Sequence, residues 1–382
     1  MSEDDKPRGE PAVKAKLPNA KNIRSPEFTP HGISAGRGGG PRPSGLTASQ
    51  ARTRNYVMIA GILVVVVAIA AGGWYLATRP DPEITAKGAF GKEPKVSIPK
   101  NLAPATKLKA TASIRGGGPK IADGDTVFVK YSFYQWAKAQ DDDDSKKKST
   151  NKQVGSSYTA QAQQQGQDKP LVVGKSGVKG LDKGLLGQTA GSRVILEIPP
   201  ADGFGEQGQQ LQLSPTDSLV FVVDVQGVTP KNAGPVGTEK KLDDKDLPKV
   251  EAGKPGQAPK VTIPKKVDAP GKLQTKVLVE GNGKALAKGD EALVNYQGQL
   301  WKNGKVFDSS WQNGGVPAKF PIGTGGTVPG FDKGLMGQKI GSRVMLVLPP
   351  ADGYGKNGAP QAGIKGDDTL VFVVDILGTI FK

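Results

Sequence analysis

The chain has 382 residues, 52 Lys and Arg against 36 Asp and Glu, a formal net charge of +16 at pH 7, no cysteine and one histidine, His31. Without cysteine there is no disulfide, thiolate nucleophile or cysteine-ligated zinc, and one histidine in a Pro/Gly-rich stretch leaves no serine triad and no histidine-cluster metal site. The basic excess reads as a solvated lysine-rich surface, because aromatics do not interleave with it as stacking on nucleic acid requires; neither nucleic acid nor a cofactor is expected.

Residues 1–55 are rich in Pro, Gly and charge and hold few large apolar side chains. Such a composition cannot offset the entropy of ordering, so a disordered tail is expected. Tyr56–Ala77 is an uncharged run of 22 residues. At about 1.5 Å per helical residue it is long enough to cross a hydrocarbon core of about 30 Å, and it is expected as a transmembrane helix. Arg52 and Arg54 precede it, whereas Arg79 after it is followed by Asp81 and Glu83, so the tail is expected in the cytoplasm and the rest outside.

A stalk, 78–92, leads into a duplication. GLDKGLLGQTAGSRVILEIPPADGFG (Gly180–Gly205) returns as GFDKGLMGQKIGSRVMLVLPPADGYG (Gly330–Gly355), with eighteen of 26 positions identical. Two long copies point to a duplicated domain and not to a solenoid. KVSIPK at Lys95 returns as KVTIPK at Lys260, an offset of 165 that falls to 150 at the long repeat, so the first copy has gained about 15 residues. The polar stretch Ala137–Gln153 is the expected site, read as a solvated loop; its four consecutive aspartates lack the alternation of a calcium loop. The copies span 93–228 and 258–382, joined by a Pro/Gly-rich linker, 229–257.

Apolar runs such as LVNYQGQL and TLVFVVDILG alternate and end in turns, as strands do. In the latter, Leu370, Phe372, Val374 and Ile376 share the face expected to meet the core. Pro329 opens one short helix that stacks Phe331 on Leu335. Each copy is thus expected as an α+β domain, an antiparallel sheet over one helix. The glycine-rich GTGGTVPG (Gly323–Gly330) lacks a following Lys-Ser/Thr and reads as a turn, not a phosphate loop. The second copy collects aromatics at strand ends and turns without a nucleophile, base or metal cluster.

VNYQG (Val294–Gly298), KVFDSS (Lys305–Ser310), VPGFDKGLMGQKIGSR, PPADGYG and TLVFVVDILG, in this order, resemble the signature segments of FKBP-type peptidyl-prolyl cis-trans isomerases over 270–380. The resemblance implies, for each copy, a five-stranded antiparallel half-barrel on a short helix, with a hydrophobic cleft between them. It makes Phe331 the cleft floor and Tyr296, Phe307 and Phe372 its walls. It gives Asp308 as the pocket carboxylate and Ile364 as an apolar lip. The Val328 N–H and the Tyr354 hydroxyl would donate to carbonyls of the bound peptide. An aromatic wall residue of the family falls at Ala318, which implies a cleft open on that side. Implied ligands are proline-containing unfolded or exported polypeptides and the macrolide inhibitors of the family.

The chemistry suits this inventory. Peptide rotation faces about 18–20 kcal/mol but breaks no covalent bond, so a dry site that prefers the twisted amide suffices. The first copy retains Tyr131, and Phe221 matches Phe372. Elsewhere it has Val154 and Gly155 for Phe307 and Asp308, Leu181 for Phe331 and Phe204 for Tyr354. It is expected to keep the fold with little or no activity. Two other readings stand beside catalysis: a non-catalytic peptide-binding chaperone, and an envelope module whose basic surface binds an anionic polymer.

Overall fold

The computed structural model describes residues 82–139, 148–164 and 169–382. The first repeat and its leader form β1 (Thr85–Lys87), β2 (Lys95–Ser97), β3 (Lys109–Ile114), β4 (Thr126–Lys138), β5 (Ser149–Ser156), α1 (Ala160–Gln164), β6 (Leu171–Val172), α2 (Lys179–Leu185), β7 (Arg193–Ile198) and β8 (Ser218–Thr229). The remainder forms β9 (Gly237–Glu239), β10 (Lys249–Glu251), β11 (Lys260–Thr262), β12 (Gln274–Gly281), β13 (Glu291–Leu300), β14 (Val306–Ser309), β15 (Ala318–Pro321), α3 (Pro329–Leu335), β16 (Arg343–Leu348) and β17 (Leu370–Thr379).

The first sheet runs β3-β7-β8-β4-β5 with β6 beside β4, and the second runs β14-β13-β17-β16-β12-β9 with β15 beside β13. The fold is predominantly β with a few short helices, and the expected pair of five-stranded half-barrels is corrected to sheets of six and seven strands. Segments read as connections supply the difference. β9, from the stretch expected as linker, pairs with β12 through Thr238 and Glu280, covering backbone groups that an edge strand would leave open. The Ala137–Gln153 reading changes as well, because Ser149–Gln153 belong to β5 and pair with β4 from Tyr134 to Lys138. Trp136, only 1% exposed, packs with Ile84 and Ile98 and holds that strand down. Residues 140–147, with the four aspartates, lie outside the described residues, as do the tail 1–55 and the expected transmembrane helix 56–77. Among the described residues no helix is long and apolar enough to cross a membrane.

Both faces of each sheet are buried. On the inner face Leu370, Phe372, Val374 and Ile376 pack over Phe331 and Leu335 of α3, as the alternation predicts. On the outer face Val371, Val373, Met345 and Val347 pack beneath Leu247 and Trp301, with Val250 and Val261 of the β10–β11 hairpin against them. The first repeat is built alike, with Val220, Val222 and Ile195 beneath Ile84 and Ile98 beside the β1–β2 hairpin. The two domains meet through a buried cluster of Phe128, Leu293 and Ile380, and the Phe381 N–H donates to the Gln226 carbonyl at 2.7 Å.

Beside the β9 edge, Glu280 receives Lys240 and Lys339, each at 2.8 Å. Hydrogen bonds from Lys240 and then Lys339, with their charges, hold its carboxyl down at about 2. A depressed carboxyl contributes stability that is present above its unfolded value and lost as pH falls toward the folded one. Glu280→Gln is therefore expected to lower the urea midpoint slightly at pH 7, with the difference shrinking between pH 4.5 and 2 and in high salt. A difference that persists at pH 2 would assign the effect to packing instead.

Candidate active site

Five elements of the second repeat converge on a cleft of about 440 Å³. β13 brings Tyr296, β14 brings Phe307 and Asp308, and β15 brings Phe320. Val328 precedes α3, which carries Phe331; Tyr354 follows β16, and β17 closes the ring with Phe372. Alternate residues of a strand share a face, so Tyr296 and Phe372 reach the helix side of the sheet.

The rings interlock edge to face. Phe331 lies 5.1 Å from Phe320 and 5.4 Å from Phe372, Phe307 lies 5.6 Å from Phe372, and Tyr296 lies 5.4 Å from Phe320. Each such pair adds about 0.5–1.5 kcal/mol beyond buried area, which makes the box rigid. At its rim the Tyr296 hydroxyl donates to Asp308 Oδ2 at 2.5 Å, and Asn313 Nδ2 donates to Oδ1 at 3.2 Å. Burial first, then the hydrogen bond and charge of Asp308, drive the Tyr296 hydroxyl far above the ordinary tyrosine range. Burial and then Asp308 also raise Tyr354. Both stay protonated at neutral pH. Tyr354 is 42% exposed and its hydroxyl has no partner among the described residues, nor does the Val328 N–H.

The turn Gly323–Gly330 is pinned from behind. Asp332, in the first turn of α3, accepts the N–H groups of Gly323 and, at 3.0 Å, Gly325. Both glycines are left-handed, at φ +70° and +75°. The backbone amides are thus occupied by the protein's own carboxylate, and the turn presents Val328 to the cleft. Asp182 holds Gly174 and Ser176 the same way in the first repeat.

A sequence model of FKBP-type peptidyl-prolyl cis-trans isomerases matches residues 117–226 and 282–377, more than half of the chain. The chain belongs to this family. Its enzyme class is peptidyl-prolyl cis-trans isomerase of the FKBP type. An FK506-binding protein of Streptomyces anulatus is 36% identical over 110 residues, 29% of this chain and 88% of that one. FK506-binding protein 2 of Yarrowia lipolytica is 43% identical over 90 residues, 24% of this chain and 60% of that one. The rat peptidyl-prolyl cis-trans isomerase FKBP9 is 32% identical over 200 residues, 52% of this chain but 28% of its own length.

Seven of the eight expected site residues of the second FKBP domain line one cleft: Tyr296, Phe307, Asp308, Val328, Phe331, Tyr354 and Phe372. Ile364 does not. It is 2% exposed, packed in the core and bridged to Ala359. The open side expected at Ala318 is also corrected, because Phe320, two residues along the same face of β15, supplies a ring there. The strand period carried that signal. Thr327 also lines the cleft, with a buried Oγ1 that has no partner; nothing in the sequence marks it.

The first FKBP domain differs inside the cleft as well as around it. Phe133 pairs with Gly155 and Phe221 as Gly298 pairs with Asp308 and Phe372, so Phe133 stands at the Gly298 position. A Cβ on Gly298 would come 2.6 Å from Phe307 and 2.7 Å from Phe372. In the first domain that space holds the whole Phe133 ring, fully buried, stacked 4.8 Å from Phe221 and tilted against Phe204 at 5.7 Å. With Gly155 in place of the carboxylate, the Tyr131 hydroxyl is buried without a partner, and burial pushes it well up.

Proposed function

We propose that the second FKBP domain catalyses rotation about prolyl peptide bonds and that the first does not. The aromatic box, empty in one domain and filled by Phe133 in the other, carries this reading. A prolyl ring enters over Phe331 between Phe307, Phe320 and Phe372. The Val328 N–H and the Tyr354 hydroxyl donate to carbonyls on either side. Twisting the amide breaks its resonance and lowers the dipole of its carbonyl, so an apolar enclosure disfavours the planar forms relative to the twisted one. Asp308, held by Tyr296 and Asn313, fixes the Tyr296 wall. No group needs to titrate, and because Tyr354 is raised, loss of its donor begins only above the usual tyrosine range.

The clients are proline-containing unfolded polypeptides, and we place the encounter outside the cytoplasmic membrane, so that the clients are exported chains. The uncharged run 56–77 and Arg52 and Arg54 before it support that location. Added protease should then cleave the second domain in intact cells, and protection there would refute the placement.

Turnover of a short X-Pro peptide by the full chain tests the catalytic reading. Phe331→Leu copies the first domain's Leu181, which keeps that fold, and is expected to lower kcat/KM about tenfold or more through loss of the aromatic platform. Tyr354→Phe removes one exposed donor, worth about 0.5–1.5 kcal/mol, a loss of roughly two- to tenfold. An inactive wild type, or a Phe331→Leu variant of unchanged rate, would overturn the assignment.

A further inference from the structure

A groove of about 490 Å³ lies between the two domains. Leu171, Val172 and Phe204 form its wall on the first domain, and Asn313 and Val316 form the opposite wall. Leu171 pairs with Val127 on β4 as Phe320 pairs with Ala292 on β13, and Phe204 holds the repeat position of Tyr354. The groove is therefore the mouth of the first domain's own cleft, the part that Phe133 does not fill. Asn313 connects it to the other cleft, because the same side chain donates to Asp308. Lys169 and Lys175 border the groove, both exposed, and neither forms an ion pair among the described residues.

We propose that this groove is a second binding subsite for the polypeptide whose prolyl bond occupies the catalytic cleft, taking an extended segment with apolar and acidic side chains. The proposal rests on the catalytic reading above. Its occupant follows from continuity and charge: a chain leaving the cleft past Asp308 meets loop 311–317, on whose other side lie apolar side chains and two ammonium groups without an ion-pair partner among the described residues. Burying Phe133 removes the prolyl pocket from the first domain while leaving this outer surface. Two linked contacts raise apparent affinity by making the second one intramolecular, so long substrates gain in KM and short peptides do not.

The test compares two substrates on the full chain. One is an X-Pro tetrapeptide; the other is a reduced, carboxymethylated acidic protein whose refolding is limited by a prolyl bond. The double variant Lys169→Glu, Lys175→Glu changes exposed residues only, and Phe204→Ser probes the apolar wall separately. Each is expected to raise KM for the long substrate roughly fivefold, more at low salt for the charge variant, with tetrapeptide kcat/KM unchanged. Unchanged KM for the long substrate in both variants, or an equal loss on both substrates, would overturn the subsite. If the wild type fails to turn over the tetrapeptide, the catalytic reading falls instead. Fluorescence anisotropy of the labelled carboxymethylated chain then decides the groove alone: weaker binding by the variants upholds it, and equal binding overturns it.

Discussion

Gly298→Phe is expected to abolish prolyl isomerisation by the full chain while leaving a folded protein. The substitution gives the second domain the residue that the first carries as Phe133, at the same point in the strand register. Even a methyl group there would lie 2.6 Å from Phe307 and 2.7 Å from Phe372, so a phenyl ring must displace one of them into the space a prolyl ring needs. Overpacking of this kind costs about 1–3 kcal/mol, within the reach of a domain whose twin accepts it. Misplacing a reacting group by about 1 Å can already cost on the order of 10²-fold, and excluding the prolyl ring costs at least that. The reciprocal change has no reciprocal effect. Phe133→Gly removes a fully buried ring at about 3–5 kcal/mol and leaves Gly155, Leu181 and Phe204 where a carboxylate, an aromatic floor and a hydroxyl are missing. Tetrapeptide turnover, with urea unfolding as the control, decides it. A folded Gly298→Phe variant that works at the wild-type rate would show that the cleft is not the site of rotation.

What the sequence disclosed of this fold follows from what short-range pattern can carry. The duplication, the strand at Leu370–Thr379 with its inner face, and the short helix at Pro329 rest on local period and turn chemistry, and they appear where expected. The outer faces were harder. In TLVFVVDILG the alternation marks one core face, yet Val371 and Val373 on the other face are buried too, and which segments cover each sheet's outer face depends on β1–β2 and β10–β11, hairpins too short to announce themselves. β9 is read as linker because three residues, Gly237–Glu239, have no periodicity. At the site, most of the lining was legible through family resemblance, but Gly298 and Phe133 were not. A glycine says nothing of the rings that meet across the strands above it until the register is known. Ile364 went the other way: its apolar character suits a lip or a core equally, and packing puts it in the core.

Arg193→Met is expected to destabilise the protein more than Arg343→Met, although the two arginines occupy equivalent places. Each pairs side-on with a carboxylate, Asp224 or Asp375, at 2.6 and 2.7 Å. Arg193 also donates to the carbonyls of Gly88, Ala89 and Lys92 at 2.8–2.9 Å, while Asp224 accepts the Gly91 N–H at 2.7 Å. Both of those side chains are fully buried. Removing one member of such a pair costs about 3–5 kcal/mol, because the remaining charge is left uncompensated, and the variant also orphans three carbonyls of the 88–92 turn. Among the described residues Arg343 has no carbonyl partner, and it borders a cavity of about 730 Å³. Water can reach the site it leaves, and burial already raises the Asp375 carboxyl against the pull of Arg343, so that group can take a proton. Urea unfolding should thus place Arg343→Met at the lower end of that range or below it. Hydrogen exchange at the Gly91 amide should accelerate in Arg193→Met alone. Equal losses of stability with unchanged exchange at Gly91 would mean that the turn is held by its own hairpin and not by the ion pair. At temperatures below its unfolding, Arg193→Met should still turn over a tetrapeptide normally, since the cleft proposed to catalyse rotation belongs to the other domain.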